Sequence, residues 1–212
     1  TVRVIVLTGA GSPFCAGGDL STRAEGDVIA GHDRRQRYAD LFRTLLLAPK
    51  PTLAAVNGSA IGGGVGLVCA ADLAIAAESA TLGTPETSVG LFPMMVSTLL
   101  MHTVPRKIAL EMMLMGRRLS ATRAAEVGLI NAVYPAADLP AAMAEWATQL
   151  TKINPIAVRL GKQALLLQDA LPIEQALNVQ NTYLTLNVNA PETQAGIAAF
   201  FEKRPPTPPT SE

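Results

Sequence analysis

Ala55-Val56-Asn57-Gly58-Ser59-Ala60-Ile61-Gly62-Gly63-Gly64-Val65-Gly66-Leu67 carries an apolar β-type run into a glycine triplet. A strand that breaks at Asn-Gly and resumes as a helix through consecutive glycines leaves backbone N–H groups bare at the turn. A second stretch of the same kind, Phe14-Cys15-Ala16-Gly17-Gly18-Asp19-Leu20, follows the run Val4-Ile5-Val6-Leu7-Thr8. Two such strand-to-helix transitions predict a two-donor oxyanion hole, because donors aimed at a carbonyl need residues with no side chain in the way. Taken alone, glycines 62 to 64 would equally permit close packing of helix on strand. No phosphate loop, metal cluster or nucleophile triad competes with the oxyanion-hole reading.

Outward from these segments the chain alternates. Val4 to Leu7 is a continuous β-branched run, read as a strand buried on both faces. Similar runs follow at Thr52 to Val56 and Asp72 to Ala77. Between the first two, His32 to Leu47 has helical spacing, with Tyr38, Leu41, Phe42 and Leu45 on one side and Arg34, Arg35 and Arg37 largely on the other. Strand, helix, strand, helix, strand implies an α/β core. Residues Ser21 to His32 are polar and aperiodic, a loop that serves either as a lid beside the first donor segment or as a plain connection.

After Pro93 the pattern predicts helices at Met94 to Val104, Arg106 to Met115, Ala121 to Val127, Leu139 to Lys152, Pro155 to Gln168, Ile173 to Asn187 and Glu192 to Lys203, with no returning strand. Ser120 and Asn154 are the predicted caps, the latter before Pro155 at the first helical position. The expected domains are an α/β core over 1–135, a helical region over 136–204 and a disordered tail over 205–212, where Pro205-Pro206-Thr207-Pro208-Pro209 bars a helix. Thr1 to Thr8 reads as strand from its first residue without an initiator methionine, so a leading segment is expected to precede it.

With 212 residues, the chain suits one sizeable domain or a core with a helical extension. Apolar residues make up 49% and charged residues 16%, a surplus suited to burial between subunits. Lys plus Arg and Asp plus Glu both total 17, so no global field favours nucleic acid or an anionic membrane. Cys15 and Cys69 have no zinc-type spacing and are read as reduced thiols. No apolar run approaches the roughly twenty residues that cross a bilayer, and no signal peptide opens the chain, so a cytoplasmic or organelle-matrix protein is expected. Gly9-Ala10-Gly11 follows a strand but lacks the third glycine and the distal acid of a dinucleotide fold, and Pro13 interrupts a helix start.

Four motifs in order carry a resemblance over almost the whole chain, from Thr1 to about Arg204. They are Val4 to Gly11 leading to Phe14-Cys-Ala-Gly-Gly-Asp-Leu, Ala55-Val-Asn-Gly-Ser-Ala-Ile-Gly-Gly-Gly, Ala121-Thr-Arg-Ala-Ala-Glu-Val-Gly-Leu-Ile-Asn, and Ala199-Phe-Phe-Glu-Lys-Arg-Pro. The chain resembles the crotonase superfamily, the enoyl-CoA hydratase/isomerase family. The resemblance implies an α/β spiral of ββα turns with a C-terminal helical oligomerisation region. It also implies a homotrimer or dimer of trimers and an acyl-CoA or enoyl-CoA thioester as substrate. No nucleic-acid or membrane partner, metal or cofactor beyond the CoA moiety is expected. Ala16 and Gly63 occupy the positions of the oxyanion donors. Phe200 and Lys203 match the pair that holds the adenosine and phosphate end, often in a neighbouring subunit. Cys15, Gly62, Gly64, Pro85, Phe92 and Met94 are the further residues expected to bind substrate.

Hydratases that share this pattern divide the work between two glutamates. Where the first would stand, two residues after the triplet, this chain has Gly66; the second is present as Glu86 in Gly83-Thr84-Pro85-Glu86. One carboxylate beside an oxyanion hole suffices to move a proton from C2 to C4 of a 3-enoyl thioester. The resemblance to Δ3-Δ2 enoyl-CoA isomerases, whose retained acid matches Glu86, therefore makes isomerisation the specific expectation. Burial against Val89, Leu91, Phe92 and Met94 is the expected means of raising the Glu86 pKa. Otherwise Glu86 would simply complement the dipole of a helix begun by Pro85. Met94 stands where dienoyl-CoA isomerases carry an added aspartate, which argues against that activity. His32 and His102 lie in no catalytic context. A hydratase using Glu86 with a second group, and a non-catalytic acyl-CoA-binding protein, are the alternatives.

Overall fold

The computed structural model describes residues 2–19 and 27–204. The predicted tail and half of the predicted loop after Leu20, residues 21–26, lie outside the described residues. The described residues form two compact units, one drawn from 6–19, 27–46 and 52–146, the other from 2–5, 47–51 and 147–204.

The larger unit is built on a sheet of strands β1 (Ile5–Thr8), β2 (Thr52–Val56), β4 (Leu73–Ala77) and β7 (Ala132–Tyr134), in the order β1-β2-β4-β7. β4 runs parallel to both β2 and β7, with Ala55 opposite Ile75 and Ile75 opposite Ala132. A smaller sheet joins β3 (Ala60–Ile61), β5 (Thr81–Gly83) and β6 (Arg118–Ser120), parallel between β3 and β5 and antiparallel between β5 and β6. Helices α1 (Val28–Leu46), α2 (Gly63–Ala70), α3 (Met94–Thr103), α4 (Arg106–Met115) and α5 (Ala121–Glu126) surround these strands, and α6 (Leu139–Thr151) follows β7. This mixed α/β architecture with helices gathered toward the C-terminus is the expected fold class.

Apolar continuity makes β2 and β4 the centre. Leu53, Ala54, Ala55, Val56, Ile75 and Ala76 are fully buried, which is the reason these strands read as unbroken hydrophobic runs. Where β2 and β4 begin, Thr52 and Asp72 satisfy each other. The Thr52 amide and hydroxyl donate to Asp72 Oδ2 at 2.7 and 2.8 Å, and the Asp72 amide donates to Thr52 Oγ1 at 2.8 Å. On α1, Phe42 and Leu45 turn inward, and burial of such a side chain stabilises by about 1.5–3 kcal/mol.

Several expectations need correction. β1 lies at the edge of its sheet and alternates half-buried with exposed residues, Val6 being 36% exposed, so it is not covered on both faces. α1 begins at Val28, inside the predicted loop, because Asp27 Oδ1 accepts from the Ile29 amide at 3.0 Å. Leu41 is 42% exposed and does not share the inward face of Phe42 and Leu45. Strands do return after Pro93, as β6 and β7, each only three residues long. A strand that short carries no readable period; its partners across the sheet define it.

Both predicted caps are present. Ser120 Oγ accepts from the Arg123 amide, and Asn154 Oδ1 accepts from the Ile156 and Ala157 amides ahead of Pro155. In the smaller unit α7 (Pro155–Gln168) packs on α8 (Ile173–Val188), and α9 (Pro191–Phe201) touches both. Arg3 reaches the Ile153 carbonyl at 2.9 Å, and Lys162 reaches the Lys50 carbonyl at 3.2 Å. Among the described residues no helix is long and apolar enough to cross a membrane.

Asn57 ties the end of β2 to the turn after β1. Its Oδ1 accepts from the Gly9 amide at 2.8 Å, and its Nδ2 donates to the Gly11 carbonyl at 2.7 Å. The turn closes so tightly that a Cβ on Gly58 would fall 1.9 Å from the Ser12 carbonyl oxygen. Asn57→Ala removes both bonds, so its unfolding free energy is expected to drop by about 1–3 kcal/mol, read from urea denaturation. An unchanged midpoint would show that the turn holds without them.

Candidate active site

A backbone bridge brings the two donor segments together. Cys15 pairs with Ala60 in parallel, its amide donating to the Ser59 carbonyl at 3.1 Å and its carbonyl accepting from the Ile61 amide at 2.9 Å. Phe14 to Gly17 thereby lies beside the β3 edge, and Ala16 is carried to the start of α2. Gly17 has φ +98°, a conformation that suits glycine, and this turns the chain after Ala16. A Cβ on Gly64 would meet the Cys15 carbonyl oxygen at 2.7 Å, so the helix can approach the first segment only with glycine there.

Gly62 caps α2 with φ 55°. Its amide is held by the Gly83 carbonyl at 2.8 Å, while its own carbonyl accepts from Val65 and Gly66. The next amide, that of Gly63, begins the helix and precedes the reach of intrahelical acceptors. Among the described residues neither the Ala16 nor the Gly63 amide is engaged in a hydrogen bond. Both donors remain available for an incoming oxygen, with the positive end of α2 behind Gly63.

Glu86 arrives from the other side. β5 ends at Gly83, and a 3₁₀ turn over Pro85–Val89 follows, closed by Gly90 at φ 74°. Gly116 closes α4 at φ 63°, a conformation that suits glycine, and lies beside Pro85. The carboxylate lies against the cap of α2, since a Cβ on Gly62 would fall 2.7 Å from Glu86 Oε1. Glu86 Oε2 is shielded from solvent.

Ala16, Gly17, Gly18, Ile61, Gly62, Pro85, Glu86, Ser88 and Val89 line one cleft of about 140 Å³. Glu86 is the one acid among the described residues lining it. Of the expected apolar neighbours, Val89 lines the cleft with Glu86 and is 60% exposed. Phe92 packs on the core. Neither Phe92 nor Met94 is among the described residues lining this cleft. The glycine step at 62 lies against the carboxylate.

On α1, Tyr38 and Phe42 stack one turn apart, ring centroids 4.7 Å apart and tilted by 50°. A Cβ on Gly66 would collide with Phe42 Cζ at 2.2 Å, and one on Gly63 would fall 1.1 Å from Tyr38 Oη. Phe42 thus fills the room a side chain at 66 would need, which gives the missing acid a physical counterpart. Tyr38 was legible in the sequence only as part of an apolar helix face; its hydroxyl was the overlooked signal. Burial pushes the Tyr38 phenol up to about 12, aided by the nearby Cys15 and Glu86 charges. Cys69 is likewise pushed up to about 12, by burial against a lowering hydrogen bond from Thr103. Both cysteines are free thiols, as expected.

Phe200 and Lys203 belong to the smaller unit. Phe200 is 77% exposed near the end of α9, and its ring meets Phe201 edge-on at 5.8 Å. The helix stops at Phe201, short of the predicted Lys203, which takes φ 52° while its amide returns to the Phe200 carbonyl. The two residues therefore do not share a helix face as the spacing predicts. A left-handed residue closing the last turn, ahead of the prolines in sequence, is the physical reason.

The family model described as enoyl-CoA hydratase/isomerase matches residues 1–208. The 2,3-dehydroadipyl-CoA hydratase of Escherichia coli is 34% identical over 209 residues, covering 97% of this chain and 80% of that protein. Carnitinyl-CoA dehydratase of Proteus mirabilis is 34% identical over 212 residues, covering 97% and 81%. The crystal structure of an enoyl-CoA hydratase from Mycobacterium smegmatis superposes with TM-score 0.94 at 33% identity, over 99% of this chain and 82% of that one. This chain belongs to the enoyl-CoA hydratase/isomerase family.

Raised phenol and thiol pKa values have a stability consequence. Between pH 10 and 12 the folded protein keeps protons that the unfolded chain has released, so stability falls as pH rises through that window. Tyr38→Phe removes the phenol's share and leaves that of Cys69. Its melting temperature is expected to fall less steeply than wild type between pH 10 and 12, as followed by circular dichroism.

Proposed function

We propose that this enzyme shifts the double bond of a 3-enoyl-CoA to the 2 position, with Glu86 as the single proton carrier. The observation that carries the reading is a cleft shared by Glu86, Ala16 and Gly62, with Gly63 next in the chain, while Phe42 occupies the space a side chain at 66 would need. The thioester oxygen accepts from the Ala16 and Gly63 amides. Glu86 takes a proton from C2, and the C2–H electron pair moves into a dienolate whose negative charge rests on that oxygen. The protonated Glu86 then delivers the proton to C4; the electrons return to restore the carbonyl and leave C2=C3. Atoms and electrons balance without a metal or redox partner, so the CoA moiety of the substrate is the only cofactor-like group in the scheme.

The names of the relatives favour a second reading. A hydratase and a dehydratase stand among them, and a hydration here would need Glu86 together with another group to handle water. A third possibility, binding without turnover, is an outcome of the same test. We also propose a trimer or a pair of trimers, supported by the exposed Leu177 and Leu184 on α8 and Phe200 and Phe201 on α9.

The test is a 3-enoyl-CoA in deuterated water, following conjugated product by absorbance and label by mass. Isomerisation by one proton carrier predicts 2-enoyl-CoA with deuterium at C4 only to the extent that the Glu86 carboxyl exchanges with solvent before delivery. Glu86→Gln should lower kcat by about 10²- to 10⁴-fold with little change in thioester binding. Hydroxyacyl-CoA formed from 2-enoyl-CoA without isomerisation would establish the hydratase instead, and binding without either product would leave a non-catalytic protein. Full activity of Glu86→Gln would remove Glu86 from the mechanism.

A further inference from the structure

The Tyr38 hydroxyl is the polar group that the proposed reaction leaves unused. It projects from α1 onto Gly63, where it takes the place of a Cβ, while Glu86 Oε1 does the same at the neighbouring Gly62. A phenol and a carboxylate thus converge on two consecutive glycines, one from a helix and one from the 3₁₀ turn. Tyr38 is not among the described residues lining the cleft, and the Glu86 charge acts on its phenol. Its ring is fixed by Phe42, which is itself 4% exposed and seated against Gly66.

We propose that Tyr38 is a positioning residue: its hydroxyl, lodged on Gly63, donates to the Glu86 carboxylate and holds it toward the oxyanion hole. The inference rests on the reading of Glu86 as the proton carrier. Geometry supports the role in three ways. A phenol is a neutral donor, so it orients the carboxylate without taking the substrate's proton. It stands outside the lining of the cleft, which leaves the cleft to substrate. Phe42 holds the aromatic pair where a side chain at 66 would lie, so one helix face both excludes a second acid and supplies a donor to the first.

Electrostatics agrees. The phenol titrates only at strongly alkaline pH, and Cys15 and Glu86 are the titratable groups whose charges act on it from the packed segments. It therefore stays protonated, and able to donate, throughout the range in which Glu86 must exchange a proton. A hydrogen bond to the charged form of a carboxyl lowers its pKa, so loss of the donor must raise it.

Tyr38→Phe keeps the ring and its packing and removes only the hydroxyl. The primary readout is the carboxyl titration of glutamate-labelled protein by carbon NMR, with the Glu86 resonance identified by its loss in Glu86→Gln. In Tyr38→Phe the Glu86 midpoint is expected to rise by about half a unit to one unit. In the enoyl-CoA assay kcat is expected to fall about tenfold or more, with KM changed less than about twofold. A midpoint equal to wild type overturns the proposal, whatever the rate does. Retained turnover in Glu86→Gln would sink the Glu86 reading itself, and the titration would still report separately whether Tyr38 acts on that carboxylate.

Discussion

The short parallel bridge between Cys15 and Ala60 is the contact on which the site depends. Two backbone hydrogen bonds join segments that are far apart in sequence, and they set Ala16 beside the first turn of α2. Backbone pairing is well suited to this task because its geometry does not vary with side-chain rotamers. Asn57 reinforces the arrangement from the other side of the turn by filling both a donor and an acceptor in the Gly9–Gly11 loop. Behind it, β2 and β4 provide a base that is buried throughout, so the end of β2 has little freedom to move the donors.

Around the bridge, glycine marks points of contact more than points of flexibility. At Gly62, Gly63, Gly64 and Gly66, a Cβ would collide in turn with Glu86, Tyr38, the Cys15 backbone and Phe42. Three different parts of the fold, α1, the Cys15 segment and the 3₁₀ turn, come to rest on one stretch of glycines. Removing side chains there allows the carboxylate, the phenol and the first donor segment to approach the same backbone atoms. The close-packing explanation of the triplet holds here, and it is compatible with the proposed oxyanion hole because the packing leaves the backbone of this turn bare.

The same crowding bears on position 66. Gly66 cannot carry a carboxylate while Phe42 stands where it does. α1 is not a strand or a donor loop, yet its Tyr38–Phe42 face fills the space beside Gly63 and Gly66. Of the apolar residues after Glu86, Val89 shares its cleft while Phe92 packs on the core.

Much of this was readable in the chain. Glycine positions, β-branched runs and the Ser120 and Asn154 caps depend on local stereochemistry, so they specified the α/β order, most helix bounds and the segments that carry the proposed donors Ala16 and Gly63. Pro85-Glu86 likewise pointed to the proposed acid, which the structure places in one cleft with Ala16. What only the tertiary structure decided was contact between distant segments. The short strands β3, β5, β6 and β7 exist through their partners, and the half-exposed β1 owes its character to its place at the sheet edge. The pairing of Gly66 with Phe42 and of Gly63 with Tyr38 has no trace in local pattern, because a glycine records that space is needed without recording what fills it.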